Sequence, residues 1–339
     1  MSSMLLMDDN HSIFEDTMAE MQTLRIAIFT LFIFLVGCGD PVKDQIVQQT
    51  PITEQRISQL GDALNNGSIR NAVLIQQYAD KVVQAKPELS QLVNEFRKDA
   101  TMQGPMYLAL LDRIDTVINQ PSMFASNQAL YEELINIYQA ADPVLYSDAL
   151  SDPLNVLADM SDGALPRINS LPKDQSMRAN NAQDFGVGEQ LIGNPSYGQW
   201  QTGSNGMSFW AWYGMYSMMG DIFGSRRTYY SDWGRHRNYS YYNDYGRTRY
   251  SSPNQLKKQT RLDTRTKKSF ASRGQKFESA YSKNRTGASS LSGKSKTAQS
   301  SANKFRTTTA NKSKFSKSNK NASFRNSNSK TSRGFSRGK

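Results

Sequence analysis

The sequence predicts an all-α fold, a small antiparallel helical domain followed by an aromatic-rich segment and a long disordered basic tail. Three observations carry that expectation. Apolar residues recur at helical spacing only between residues 51 and 162. Of the 35 aromatics, 14 fall within residues 206–250. Residues 251–339 hold 23 Lys and Arg against two acidic residues, Asp263 and Glu278, so the formal net charge of +11 divides into about +21 there and about −10 before it.

The helical domain reads in order. Thr50-Pro51 offers an N-cap and a first-turn proline, Ile57, Leu60 and Leu64 form a stripe, and Asn65-Asn66-Gly67 stops the element. Ser68 starts a second helix with Ile69, Ala72, Val73, Ala79 and Val83 inward. Pro87 opens a third, where Leu89, Leu92, Val93, Phe96 and Ala100 make the clearest amphipathic pattern in the chain. After Gly104-Pro105, Tyr107, Leu110, Leu111, Ile114, Val117 and Ile118 form a fourth stripe. Asn127 caps a helix bearing Leu130, Leu134, Ile137 and Tyr138, and Ser151-Asp152-Pro153 precedes a short one with Leu154, Leu157 and Met160. Short connections between such helices predict antiparallel neighbours and one modest core.

Residues 163–205, rich in Pro, Asn, Gln, Ser and Gly, read as a linker. Residues 206–250 are different in kind. Trp210, Trp212, Tyr213 and Tyr216 lie in a run without charge, too short to span a bilayer, and are expected to contact a membrane interface or a partner. The flank from Arg226 to Tyr250 interleaves Arg with Tyr and Trp.

At the other end, residues 26–36 form an uncharged apolar run of eleven, preceded by Arg25 and followed by Gly37-Cys38-Gly39-Asp40. A bilayer core needs about 20 residues, so the run has the length of a signal h-region instead. The tetrad Leu35-Val36-Gly37-Cys38 contains the only cysteine and resembles the lipobox of bacterial lipoproteins. That resemblance implies a signal peptide over residues 1–37, cleavage before Cys38, acylation of its thiol, and a lipidated tether over 38–50. Gly39 after the Cys implies placement in the cell envelope at the outer rather than the inner membrane. Two or more acyl chains, at about 0.8 kcal/mol per buried CH₂, hold a protein stably where one does not. Residues 1–24 carry five acidic residues and no Lys or Arg, opposite to a signal n-region; translation from Met21 removes the conflict, so residues 1–20 are expected to be a misassigned start.

The tail lacks Val and Ile, and burial of so little apolar area does not offset ordering entropy, so disorder is expected over 251–339. Closely spaced cations condense on polyanions with release of counterions. Lys257, Lys258, Arg261, Arg265, Lys267, Lys268, Lys312, Lys314, Lys317, Arg333 and Arg337 are therefore the candidate polyanion-binding residues. The expected partners are the lipid bilayer, through Cys38, and an anionic envelope polymer such as lipopolysaccharide. Nucleic acid is the alternative, since Phe305, Phe315, Phe324 and Phe335 sit among cations and aromatic rings stack on bases. A protein partner of the helical domain is not legible.

No catalytic constellation emerges. One Cys forms no internal disulfide, and His11 and His236 are the only histidines. Asp112 with Asp115, and Glu132 with Glu133, read as solvated helix faces rather than acid/base pairs. Gly186-Val187-Gly188 lacks the preceding strand and third glycine of a phosphate loop. The expectation is a non-enzyme without cofactor or metal.

Overall fold

The structure, a computed structural model, describes residues 40–170, 172–224, 226–281, 292–295 and 297. The chain divides after Ser295 into two units, and the helices and strands named in this fold all lie in the first. The lipobox, Cys38, and the tail cations Lys312, Lys314, Lys317, Arg333 and Arg337 lie outside the described residues.

Helix α1 runs from Pro41 to Asn65, ten residues longer than the sequence suggested. Asp40 accepts the Val42 N–H at 3.1 Å and Pro41 fills the first turn, so Asp40-Pro41 is the start signal, and the expected tether over 38–50 is helix from residue 41 onward. Pro51 sits inside it. Thr50 and Thr53 donate their hydroxyls to the carbonyls of Ile46 at 2.8 Å and Gln49 at 2.9 Å, tying the chain down on either side of the missing proline N–H.

Then come α2 (Arg70–Ala85), α3 (Ser90–Asp99), α4 (Pro105–Asn119), α5 (Asn127–Ala140), α6 (Pro143–Ala149) and α7 (Ser151–Met160). Ser126, rather than Asn127, caps α5, accepting the Ala129 N–H at 3.2 Å. The expected stripes face a shared core: Ile57, Leu60, Ile69, Leu92, Val93, Phe96, Leu110, Leu134, Ile137 and Leu157 are all buried. Antiparallel packing holds between some chain neighbours and fails across the bundle. Asn127 donates to Asp40 at 2.6 Å where both helices begin, and Arg56, well along α1, pairs at 2.8 Å with Asp142 just past the end of α5, so these two helices run parallel. Helix α4 runs antiparallel to both, with Tyr107 donating to the Ile57 carbonyl at 3.3 Å and Arg113 paired with Glu133 at 2.6 Å.

Residues 163–205 are not a linker. Asn155 grips the backbone of Ile168 from both sides, at 2.7 and 2.9 Å, and Tyr78 donates to the Pro166 carbonyl at 2.9 Å. Helix α8 (Lys173–Asn180) follows, and Leu191 and Tyr197 join the helical core. The Pro, Asn and Gly content serves turns in a packed segment rather than freedom in a loose one.

The fold is mostly rather than wholly helical. Strands β1 (Gly198–Thr202) and β2 (Ser208–Trp212) form an antiparallel hairpin with Trp200 opposite Trp210. Its loop turns at Asn205-Gly206, where Gly206 has φ +73°. Beyond it lie α9 (Met218–Phe223), α10 (Tyr230–His236), a π-turn at Tyr242–Gly246 and α11 (Pro253–Ala271).

The aromatic region is a continuation of the core. Tyr216, Tyr241, Tyr242 and Tyr250 pack with the helical residues, and Tyr250 donates to the Ala140 carbonyl at 2.9 Å. A second cluster joins Ile192, Trp210, Tyr230, Trp233, Phe270, Phe277 and Ala280. Asp152, at the start of α7, fastens the two halves. It accepts the backbone N–H of Tyr241 at 2.8 Å, that of Tyr242 at 2.9 Å and the Ser240 hydroxyl at 2.9 Å.

Candidate functional site

The cations expected in a disordered segment stand partly on a helix. Ser252 and Gln255 close a reciprocal capping box and Pro253 opens α11, so its start is specified locally. Its inner face is held by the buried Gln259, which bonds the Tyr242 hydroxyl at 3.1 Å and Arg247 at 2.6 Å, and by Phe270, whose ring lies 4.9 Å from that of Phe277. Asp263, the one acidic residue on α11, accepts from Tyr230 at 3.0 Å and pairs with Lys267 at 2.9 Å.

The outer face is cationic. Lys257, Lys258, Arg261, Arg265 and Lys268 are exposed, and no ion pair to any of them occurs among the described residues. At 3.6 residues per turn the five fall within an arc of about 100°, and at 1.5 Å per residue they extend over about 16 Å. Thr260 and Thr264 border this arc on one side. Lys267 points away and is spent on Asp263. This face has the sign and density to attract a polyanion and little apolar area with which to enter a bilayer.

The Arg residues interleaved with aromatics have a different fate. Arg237 is buried, paired with Asp244 at 2.6 Å and donating to the Ala280 carbonyl at 2.9 Å; Arg249 is buried and bonds the Tyr245 carbonyl at 3.3 Å. Arg227 stacks on Phe209 at 4.7 Å and Arg247 on Tyr281 at 4.1 Å. Arginine here is cement between aromatic layers.

Two of the four expected membrane or partner contacts are interior. Trp210 packs 5.2 Å from Trp200, and Tyr216 lies 5.4 Å from Phe96 and 5.2 Å from Tyr197. Both are buried, Trp212 is half-buried and Tyr213 is 40% exposed. The uncharged run thus reads correctly as apolar surface but covers the protein's own core; of the four, only Tyr213 is exposed.

Four buried carboxyls, Asp99, Asp148, Asp152 and Glu189, were missed, and two of them lie deepest in the helical core. Burial pushes the Asp152 carboxyl up to about 7 against the pull of its three donors. Burial likewise pushes Asp99 well above the usual carboxylate range, partly opposed by the neighbouring Tyr197 hydroxyl. Neither stands with a nucleophile in a cleft. Among the described residues no group of three or more His, Cys, Asp or Glu is placed to hold a metal ion, and no helix is long and apolar enough to cross a membrane. Glu133 is engaged by Arg113, Asp115 accepts from Asn119 at 2.6 Å, and Glu132 accepts from Gln128 at 3.2 Å.

Comparison of the chain with family models, with curated proteins and with solved structures gave no match.

Proposed function

We propose that this chain is a lipid-anchored structural or interaction protein of the bacterial cell envelope. In this reading Cys38 carries the anchor at the outer membrane, and anionic polymers such as lipopolysaccharide bind the cation face of α11 together with the tail cations. The observation that carries it is the set of five exposed cations on one arc of α11, with the single acid of that helix turned away. The lipobox resemblance supplies the anchor. No catalysis is assigned. Nucleic acid as an alternative ligand loses Arg237, Arg247 and Arg249, which are engaged internally, and keeps the exposed Arg226, Arg227 and Arg235 together with the tail phenylalanines.

The test has two parts. Radiolabelled fatty acid should enter the full chain and be lost with Cys38→Ala. Replacing Lys257, Lys258, Arg261, Arg265 and Lys268 together by Gln should weaken binding to lipopolysaccharide and flatten the dependence of log K on log salt by about 3.5, at roughly 0.7 per lost phosphate contact. An unchanged slope removes α11 from the binding surface. A ligand preference for single-stranded DNA that is lost when Phe305, Phe315, Phe324 and Phe335 become Ala would favour the alternative.

A further inference from the structure

We infer that the end of the bundle at which α1 begins rests directly on the bilayer, with Val47, Ile118, Met123 and Phe124 at the boundary between headgroups and acyl chains. This placement rests on the anchoring reading above. Pro41 is the first residue of α1, and Cys38 precedes it by three residues. At no more than about 3.6 Å per residue, the Cα of Pro41 lies within roughly 11 Å of that of Cys38, whose thiol would carry the acyl group. The expected tether would have allowed the domain to float free of the membrane; a helix starting at Pro41 does not.

What gathers at that end fits the position. Asn127 donates to Asp40 at 2.6 Å, so the first turn of α5 is fastened beside the first turn of α1. Helix α4 runs antiparallel to α1 with Tyr107 beside Ile57, which brings Ile118 to the level of Ile46, about eleven residues down each helix. The α4–α5 connection, with its turn at Pro121–Met123, closes the same end. Val47 is 72% exposed there and Ile118 45%, while Met123 and Phe124 are half-buried. Exposed apolar side chains of this kind, beside an acylated N-terminus, recover the area they leave in water by contact with lipid. The charges nearby do not attract anionic headgroups, since Lys43 is outnumbered by Asp40, Asp44 and Asp115. The contact is therefore apolar, independent of lipid charge, and distinct from the cation face of α11.

The experiment uses the full chain carrying one added cysteine, Val47→Cys, Ile118→Cys or, as the control at the far end of α1, Asn66→Cys. Acylation blocks Cys38, and mass spectrometry of the Cys38 peptide verifies it. Each variant is labelled with a fluorophore and reconstituted in neutral phosphatidylcholine vesicles containing a lipid-borne quencher. Quenching at positions 47 and 118 several-fold above that at 66 is the expected result, with little change on raising salt. Equal quenching at all three positions in an acylated protein overturns the placement and leaves the anchor standing. Loss of the label signal at 47 and 118 with rising protein concentration, without vesicles, assigns the surface to a second copy and also overturns it. Absence of an acyl group on Cys38 overturns the anchoring reading, and the placement falls with it.

Discussion

Asp152 joins the helical half to the aromatic half, and its ionisation should set how the stability of the whole unit depends on pH. Its two oxygens accept two backbone N–H groups and one hydroxyl at 2.8–2.9 Å, all buried. Removing the acceptor with Asp152→Ala strands three donors, at about 1–3 kcal/mol each. The Asn variant keeps the volume and cannot ionise. With a folded-state value raised to about 7, against about 3.9 unfolded, the carboxyl contributes stability that is complete below pH ~4 and is lost as pH rises through 7. Between pH 5 and pH 8 the loss amounts to about 2–3 kcal/mol, or roughly 5–10 °C in Tm for a unit of this size. Thermal melts of the full chain and of Asp152→Asn across that range should therefore converge or cross, the wild type losing more on the alkaline side. Other titrating groups largely cancel in the comparison. Parallel curves would refute the reasoning, and would mean that the three donors hold the carboxylate ionised throughout.

The core sets two further outcomes. Phe96 has no exposed surface and its ring lies 5.4 Å from that of Tyr216, so Phe96→Ala should cost about 3–5 kcal/mol by denaturant melts, and Leu92→Ala about 2–5. Combining Phe96→Ala with Tyr216→Ala should fall short of additivity by about 0.5–1.5 kcal/mol, which is the edge-on ring contact. Because Trp210 and Trp233 are buried and Trp200 and Trp212 half-buried, tryptophan emission should be blue in buffer and unmoved by vesicles; a vesicle-dependent blue shift would return the aromatic segment to the membrane.

The helical half was legible because Leu and Val on a helix announce their face by period. Leu89, Leu92, Val93 and Phe96 all proved buried, as their spacing required. The same rule over-counted at stripe edges, since Val73, Leu111, Ile118 and Tyr138 are exposed by 37 to 45%. It misplaced the start of α1 because Thr50-Pro51 and Asp40-Pro41 are equivalent signals, and only the continuation of packing through Ile46 distinguishes them. The hairpin was within reach, since Asn205-Gly206 between Trp200 and Trp210 is a turn signal flanked by strand formers. That signal competes with an interfacial reading of the same aromatics, which composition alone favours. A core built from Tyr and Trp on short elements carries no period, and each of its rings reaches across more chain than an aliphatic side chain does.

The same physics explains why part of the basic tail folds. An inventory of Val and Ile underestimates what aromatic residues bury, at about 150–250 Å² each. Phe270 and Phe277 enter the second cluster with Leu262 and Tyr281 against it, and at about 25 cal/mol per Å² such rings contribute several kcal/mol toward the ordering of residues 253–281. Arg235 and Arg273 then cover Phe270 at 5.5 and 5.0 Å, so cations seal the cluster that a cation-rich sequence was expected to leave unformed. Ordering also sorts the charges. Once Gln259, Leu262 and Phe270 face inward, Lys257, Arg261, Arg265 and Lys268 share the opposite arc, and a run of charge without direction becomes a surface with one. Loss of Phe270 should therefore weaken polyanion binding without removing a single charge, a result that charge density alone does not produce.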